Sequence, residues 1–167
     1  MTTWPLNMPT LEEIRKILDD NAISSKVLPP NPQLDWILIC EKFNGSKLGV
    51  GIAHLKGTQT TELFLHMTLG EDVKQAFMKN NFHNDFMNEF DIITKALPHV
   101  SVMISPNLKS MKAISIIRKL YGDISSQQLL ETANKILETV GLVLALIRKN
   151  ANISSSEAVQ QDSSFYA

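Results

Sequence analysis

Between residues 34 and 67 three strand-forming stretches follow one another with only turn signals between them, and no other feature constrains the fold as much. Leu34 to Phe43 concentrates Trp36, Ile37, Leu38 and Ile39, residue types that suit a pleated, half-buried surface. Asn44-Gly45-Ser46 reads as a turn. Leu48, Val50, Ile52 and His54 then alternate with Gly49, Gly51 and Ala53, and Lys56-Gly57-Thr58-Gln59 turns the chain again. Thr61, Leu63, Leu65 and Met67 alternate with Glu62, Phe64 and His66. Connections this short join only antiparallel neighbours, so the segment predicts a three-stranded antiparallel meander. The small residues Gly49, Gly51 and Ala53 predict a close-packed partner on their face, most simply a helix.

A meander with one apolar face needs cover, and the flanking sequence supplies it. Thr10-Leu-Glu-Glu13 is a capping box, and Leu11, Ile14, Ile17 and Leu18 follow at helical spacing; the pattern predicts a helix over 11–22. Pro29-Pro30-Asn31-Pro32 reads as a rigid extended linker. Glu71-Asp72 suit a helix N-terminus, followed by Val73, Ala76 and Phe77 on one face. Asn80 to Asn84 interrupts the helix; Phe86, Met87, Phe90, Ile93 and Leu97 resume it until Pro98. Val100, Val102 and Ile104 alternate as a fourth strand before a loop at Pro106-Asn107. Lys112 to Tyr121 fits a helix through Ile114, Ile117 and Tyr121, and a strand through Ile114, Ile116 and its β-branched bias; the strand reading is adopted here. Ser125-Ser-Gln-Gln128 is a second capping box. Leu129, Ala133, Ile136, Val140, Val143 and Ile147 continue it as an apolar stripe, widened by Leu130, Leu137 and Leu144.

The pattern therefore predicts an α+β fold: an antiparallel five-stranded sheet with helices packed on it, in the order α-β-β-β-α-β-β-α. Residues 1–9 read as a flexible N-terminal segment, 10–150 as a single domain, and 151–167 as a disordered Ser-rich tail. The 167 residues suffice for one core.

Charge and motifs narrow the function classes. The formal net charge is -1, which lacks the basic field that non-specific nucleic-acid binding needs. Lys109, Lys112, Arg118 and Lys119 form a small basic cluster without interleaved aromatics, so nucleic acid is not expected as a partner. The single cysteine, Cys40, excludes an internal disulfide and a cysteine-based zinc site and reads as a buried thiol. No His pair has metal-ligand spacing on one helix, and no phosphate loop or nucleophile motif occurs, so neither metal nor cofactor is expected. No basic-plus-apolar leader opens the chain, and the longest apolar stretch, Leu142 to Ile147, is too short to span a bilayer. The expected setting is the reducing cytoplasm, away from membranes.

Two sets of residues remain as candidate sites. The turn at Gly57-Thr58 brings His54 to about Glu62 on the neighbouring strand, with His66 further along it. A histidine–carboxylate pair is a possible acid–base unit, so His54, Glu62 and His66 are the catalytic candidates if the chain is a small enzyme; a cross-strand structural pair is the plainer reading. Phe82, Phe86 and Phe90 crowd the middle helix. Three helices compete for a sheet wide enough to cover two, so the middle helix is expected to complete its burial in a homodimer through these aromatics. The favoured function is a non-enzymatic protein-binding or adaptor domain.

The capped helix at Thr10–Glu13, the meander Trp36 to Met67, the helix ending Phe90-Asp-Ile-Ile93, the hairpin Val100–Tyr121 and the apolar helix Leu129–Ile147 follow an order that resembles the type III secretion chaperone-like fold. The resemblance covers about residues 10 to 150 and is to the prokaryotic members of unassigned role; effector chaperones tend to be clearly acidic. It implies homodimerisation and binding of an extended polypeptide.

Overall fold

The computed structural model describes residues 7–43, 46–79, 83–97, 100–105, 112–151 and 159–161. The expected turn at Asn44-Gly45 and the loop at Pro106-Asn107 lie outside these residues, as do residues 1–6 and most of the Ser-rich tail.

Both capping boxes form. Thr10 N–H donates to Glu13 Oε2 at 2.8 Å and Glu13 N–H to Thr10 Oγ1 at 3.2 Å, which starts α1 (Leu11–Asp20). Ser125 N–H donates to Gln128 Oε1 at 3.0 Å and Gln128 N–H to Ser125 Oγ at 3.1 Å, at the start of α4 (Ser126–Ala151). Each box satisfies two amides that a helix start leaves unpaired. The helix α4 is 26 residues long, about 39 Å at 1.5 Å per residue, and packs against β4 and β6.

The remaining elements are β1 (Ser25–Leu28), β2 (Leu34–Cys40), β3 (Val50–Leu55), β4 (Thr60–Leu69), α2 (Glu71–Lys79), α3 (His83–Ala96), β5 (Ser101–Ser105), β6 (Ala113–Tyr121) and β7 (Val159–Gln161). The fold is α+β with an antiparallel sheet, as the pattern predicts. Six strands run in the order β1-β2-β3-β4-β6-β5, and β7 pairs with β4. The ambiguous segment is a strand, paired with β4 along its whole length and with β5 over Ala113–Ile117.

Three details differ from the sequence reading. First, the sheet has seven strands among the described residues rather than five. Ser25–Leu28, next to the proline segment, pairs with β2 as β1, and Val159–Gln161 of the expected disordered tail pairs with Leu69–Met67 of β4. Both are short and lack alternation, so the partner's free backbone, rather than their own pattern, makes them strands. Second, the middle helix is two, α2 and α3, on either side of the expected break. Third, the close packing at Gly51 comes from a neighbouring strand and not from a helix. A Cβ at Gly51 would stand 2.1 Å from Cζ of Phe64, the residue opposite it on β4.

The two faces of the sheet are closed differently. One carries Leu38, Ile52, Leu63 and Ile116, and the four described helices reach it, through Ile14 and Leu18, Val73, Phe86, and the α4 stripe from Leu129 to Ile147. The other has a smaller cluster, Leu34, Ile37, Ala53 and Phe64, built and flanked, among the described residues, by strand residues alone.

Candidate binding surface

The register of β3 on β4 decides what the histidines can do. Ala53 stands opposite Glu62 and His54 opposite Thr61, one step from the expected pairing of His54 with Glu62. Successive side chains point to opposite faces, so that step places His54 and Glu62 on different sides of the sheet. His54 lies on the helix-covered side, 2% exposed. Its ring stacks on Trp36 with centroids 5.7 Å apart, and its Nδ1 shares a hydrogen bond of 3.1 Å with Thr61 Oγ1. Its Nε2 is 3.8 Å from Asp35 Oδ2. That is too long for a hydrogen bond, and this nitrogen has no protein hydrogen-bond partner among the described residues.

Glu62 and His66 share the other face, four residues apart on β4, about 13 Å at the strand rise. Glu62 pairs with Lys119 Nζ at 3.3 Å. His66 shares a 2.6 Å hydrogen bond between Nδ1 and Ser115 Oγ, directly opposite it on β6. The three candidate groups therefore sit in three separate cross-strand arrangements and do not converge. Among the described residues, no three His, Cys, Asp or Glu side chains are placed to hold a metal ion.

The aromatic candidates are also placed otherwise than expected. Phe86 is fully buried and Phe90 is 9% exposed, their rings stacked at 5.6 Å inside the helix-covered core. They complete the protomer and cannot anchor a partner without opening it; Phe82 lies outside the described residues. Cys40 is buried as expected, and desolvation pushes its thiol up to about 12 from an ordinary 9.0, which keeps it protonated and unreactive at neutral pH. The basic cluster disperses: Lys112 precedes β6, Lys119 near its far end is paired with Glu62, and Lys109 is outside the described residues. No helix among the described residues is long and apolar enough to cross a membrane.

The surface features that sequence reasoning missed lie where β5 ends. Pairing of β5 with β6 stops at Ser101 opposite Ile117, whereas β6 continues to Tyr121. Arg118 to Tyr121 pair with β4 on one side and face no described strand on the other. At this step Val100, Ser101, Ile117, Lys119 and Tyr121 line an open groove of about 290 Å³. Tyr121 is 71% exposed. A larger cleft of about 420 Å³ lies between α1 and Asp123-Ile124, but its Glu13 carboxylate is already engaged in the α1 cap. The groove was illegible because it depends on which strand neighbours β6 and where that strand stops, a pairing of segments with no local signal.

No family model matches the chain. No curated protein matches it either. Solved structures do. An uncharacterised protein from Methanothermobacter thermautotrophicus superposes with a TM-score of 0.73 at 10% identity, covering 83% of this chain and 96% of that one. YbjN from E. coli, a protein proposed to regulate transcription, superposes with a TM-score of 0.54 at 15% identity, over 88% of this chain and 96% of its own. The chain shares their fold.

Proposed function

We propose that the chain is a polypeptide-binding domain that holds an extended segment of a partner along the open edge of β6. The observation that carries this reading is the step at Ser101, where β6 outruns β5 and Arg118–Tyr121, beside the groove, face no described strand on that side. An extended segment adds to such an edge through main-chain hydrogen bonds, while side chains on alternate positions enter neighbouring pockets and supply specificity. Here those side chains meet Ile117 and the exposed Tyr121 ring, which favour an apolar or aromatic residue. The resemblance to the type III secretion chaperone-like fold, whose secretion chaperones bind extended polypeptide, supports the same reading at the level of fold.

The test is selection of binders from a displayed library of random dodecapeptides on the full chain, followed by titration of the selected synthetic peptides. Peptides with apolar or aromatic residues at alternate positions are expected. Tyr121→Asp should weaken them about tenfold or more with an unchanged melting temperature, as for a side chain central to its contact. Recovery of no specific peptide would sink the reading. Peptides that bind Tyr121→Asp as well as the parent would place the site elsewhere.

A further inference from the structure

One buried side-chain polar atom among the described residues lacks a hydrogen-bond partner: Nε2 of His54. Leaving such an atom unpaired is costly, and native cores do so rarely. The ring is otherwise held on every side. Nδ1 is tied to Thr61 Oγ1 on β4, and one face stacks on Trp36 of β2. The orphaned nitrogen looks towards Asp35 Oδ2, 3.8 Å away. A β-bulge brings that carboxylate to the ring. Leu34 stands opposite Leu55 and Trp36 opposite His54, so Asp35 is an extra residue on β2. The bulge breaks the alternation of faces: Leu34 joins the cluster of Ile37, while Trp36 lies in the helix-covered core. The Asp35 side chain is 40% exposed, which leaves its carboxylate room to move.

We infer that Asp35, His54 and Thr61 form a proton-operated latch across β2, β3 and β4. A neutral imidazole has one donor and one acceptor nitrogen. Whichever tautomer bonds Thr61, the nitrogen at Asp35 is unsatisfied. As an acceptor it faces another acceptor, and as a donor it stands too far away at 3.8 Å. An imidazolium donates from both nitrogens. It keeps the hydrogen bond to Thr61 Oγ1 and gains a charge-assisted one to Asp35 Oδ2, for which the carboxylate moves in by about 1 Å. Burial opposes the charge. The carboxylate, the Thr61 hydroxyl and the indole face of Trp36 offset it, the last through the attraction of a cation to an aromatic face. The latch is closed in mildly acidic solution, where an ordinary imidazole has taken up its proton and an ordinary carboxylate has not. It then joins three neighbouring strands at one level of the sheet.

The other charged groups on the neighbouring elements are turned away, paired or further along the strands. Glu62 points to the opposite face and pairs with Lys119. Lys56 lies in the turn beyond β3. Arg118, on the covered face, stands opposite Leu63, two residues along β4 from Thr61. The charged residues of α1 and α4 are exposed, while α2 and α3 place Glu71 with Lys74, Asp91 with Lys95 and Glu89 with Lys149. Asp35 is the one described carboxylate within 4.0 Å of the ring nitrogens.

The test is nitrogen-edited NMR of the full chain from about pH 8 to about pH 5, which reads charge and tautomer from the two ring nitrogens of each histidine. Comparison with His54→Gln assigns the His54 signals. In the folded protein His54 should pass from a neutral ring to one protonated at both nitrogens. Over the same range the amides of Trp36 and Thr61 should gain about tenfold in protection from hydrogen exchange, once the intrinsic pH dependence is removed. Asp35→Asn keeps the shape of an exposed side chain and removes its charge. It should lower the proton affinity of His54 about tenfold and abolish the added protection. Three results would overturn the inference: a ring that stays neutral throughout, an equal proton affinity in Asp35→Asn, or protonation that leaves both amides as they were. A purely structural His54 gives one of these three. Tyr121→Asp should leave every one of these signals unchanged, so the latch stands or falls apart from peptide binding at the β6 groove.

Discussion

The two faces of the sheet reach a similar dryness by different means. On the helix-covered face burial is shared: strands and four helices contribute to one cluster, and most of its members have several neighbours of the same kind. On the other face the described apolar cluster is four buried strand residues, with Glu62, His66 and Ser115 buried beside it, and its tightest contact is the Phe64 ring lying over Gly51. Shared burial fails in proportion to what is removed, because the surrounding side chains relax only partly into the space. A contact as tight as that ring over that glycine fails when something is added. The difference shows that low exposure alone does not say how a surface will respond to change; the number of independent groups that create it does.

The largest effect is expected on the shared side. Phe86→Ala empties a fully buried aromatic position at the junction of α3 and the core and should cost about 3–5 kcal/mol in urea unfolding, with Phe86→Leu costing distinctly less. A loss under about 1 kcal/mol, within the range of ordinary surface changes, would mean that α3 is only loosely docked. Within α4 the same logic separates neighbours. Ile136 is fully buried and Leu137 only partly, so Ile136→Ala should be the more damaging, although both belong to the apolar stripe of the sequence.

Gly51→Ala probes the other side. The added methyl meets the Phe64 ring at 2.1 Å, which forces a buried side chain from its place and should cost about 1–3 kcal/mol. In a Phe64→Ala background the same substitution should be nearly neutral, because the clash is gone. Equal costs in the two backgrounds would show that a contact other than the Phe64 ring excludes a side chain there.

The smallest effect reports how dry the covered face is. Burial raises the Cys40 thiol from 9.0 to about 12, so the unfolded chain releases this proton before the folded one does. Its contribution to stability is intact below pH 9.0 and is lost as pH rises towards 12. By pH 10 the loss is on the order of 1 kcal/mol. Comparing wild type with Cys40→Ala in denaturant at several alkaline pH values isolates it: the wild type should lose stability faster over this range. Parallel slopes would place Cys40 in contact with water.

What could be read without coordinates was set by residues within a turn of one another. Thr10 with Glu13 and Ser125 with Gln128 start their helices through contacts three residues apart, and the alternation from Leu34 to Met67 states a strand period wherever the chain goes. The α4 stripe named six residues that are all buried. Readings that required two distant segments to be matched did not survive as made. His54 and Glu62 missed each other by one register step, and with a period of two that is enough to place them on opposite faces. The middle-helix aromatics were recognised as apolar, but whether they face the core or a partner depends on how α3 lies against α4 and the sheet. The sequence by itself therefore determined the elements, their caps and the antiparallel class of the sheet, because those follow from local sterics and side-chain period. Only the tertiary structure decided the strand order, the one-residue register and the step between β5 and β6 beside Tyr121. Each of these is a pairing between segments tens of residues apart, where many alignments satisfy the local pattern and the packing of the whole selects one.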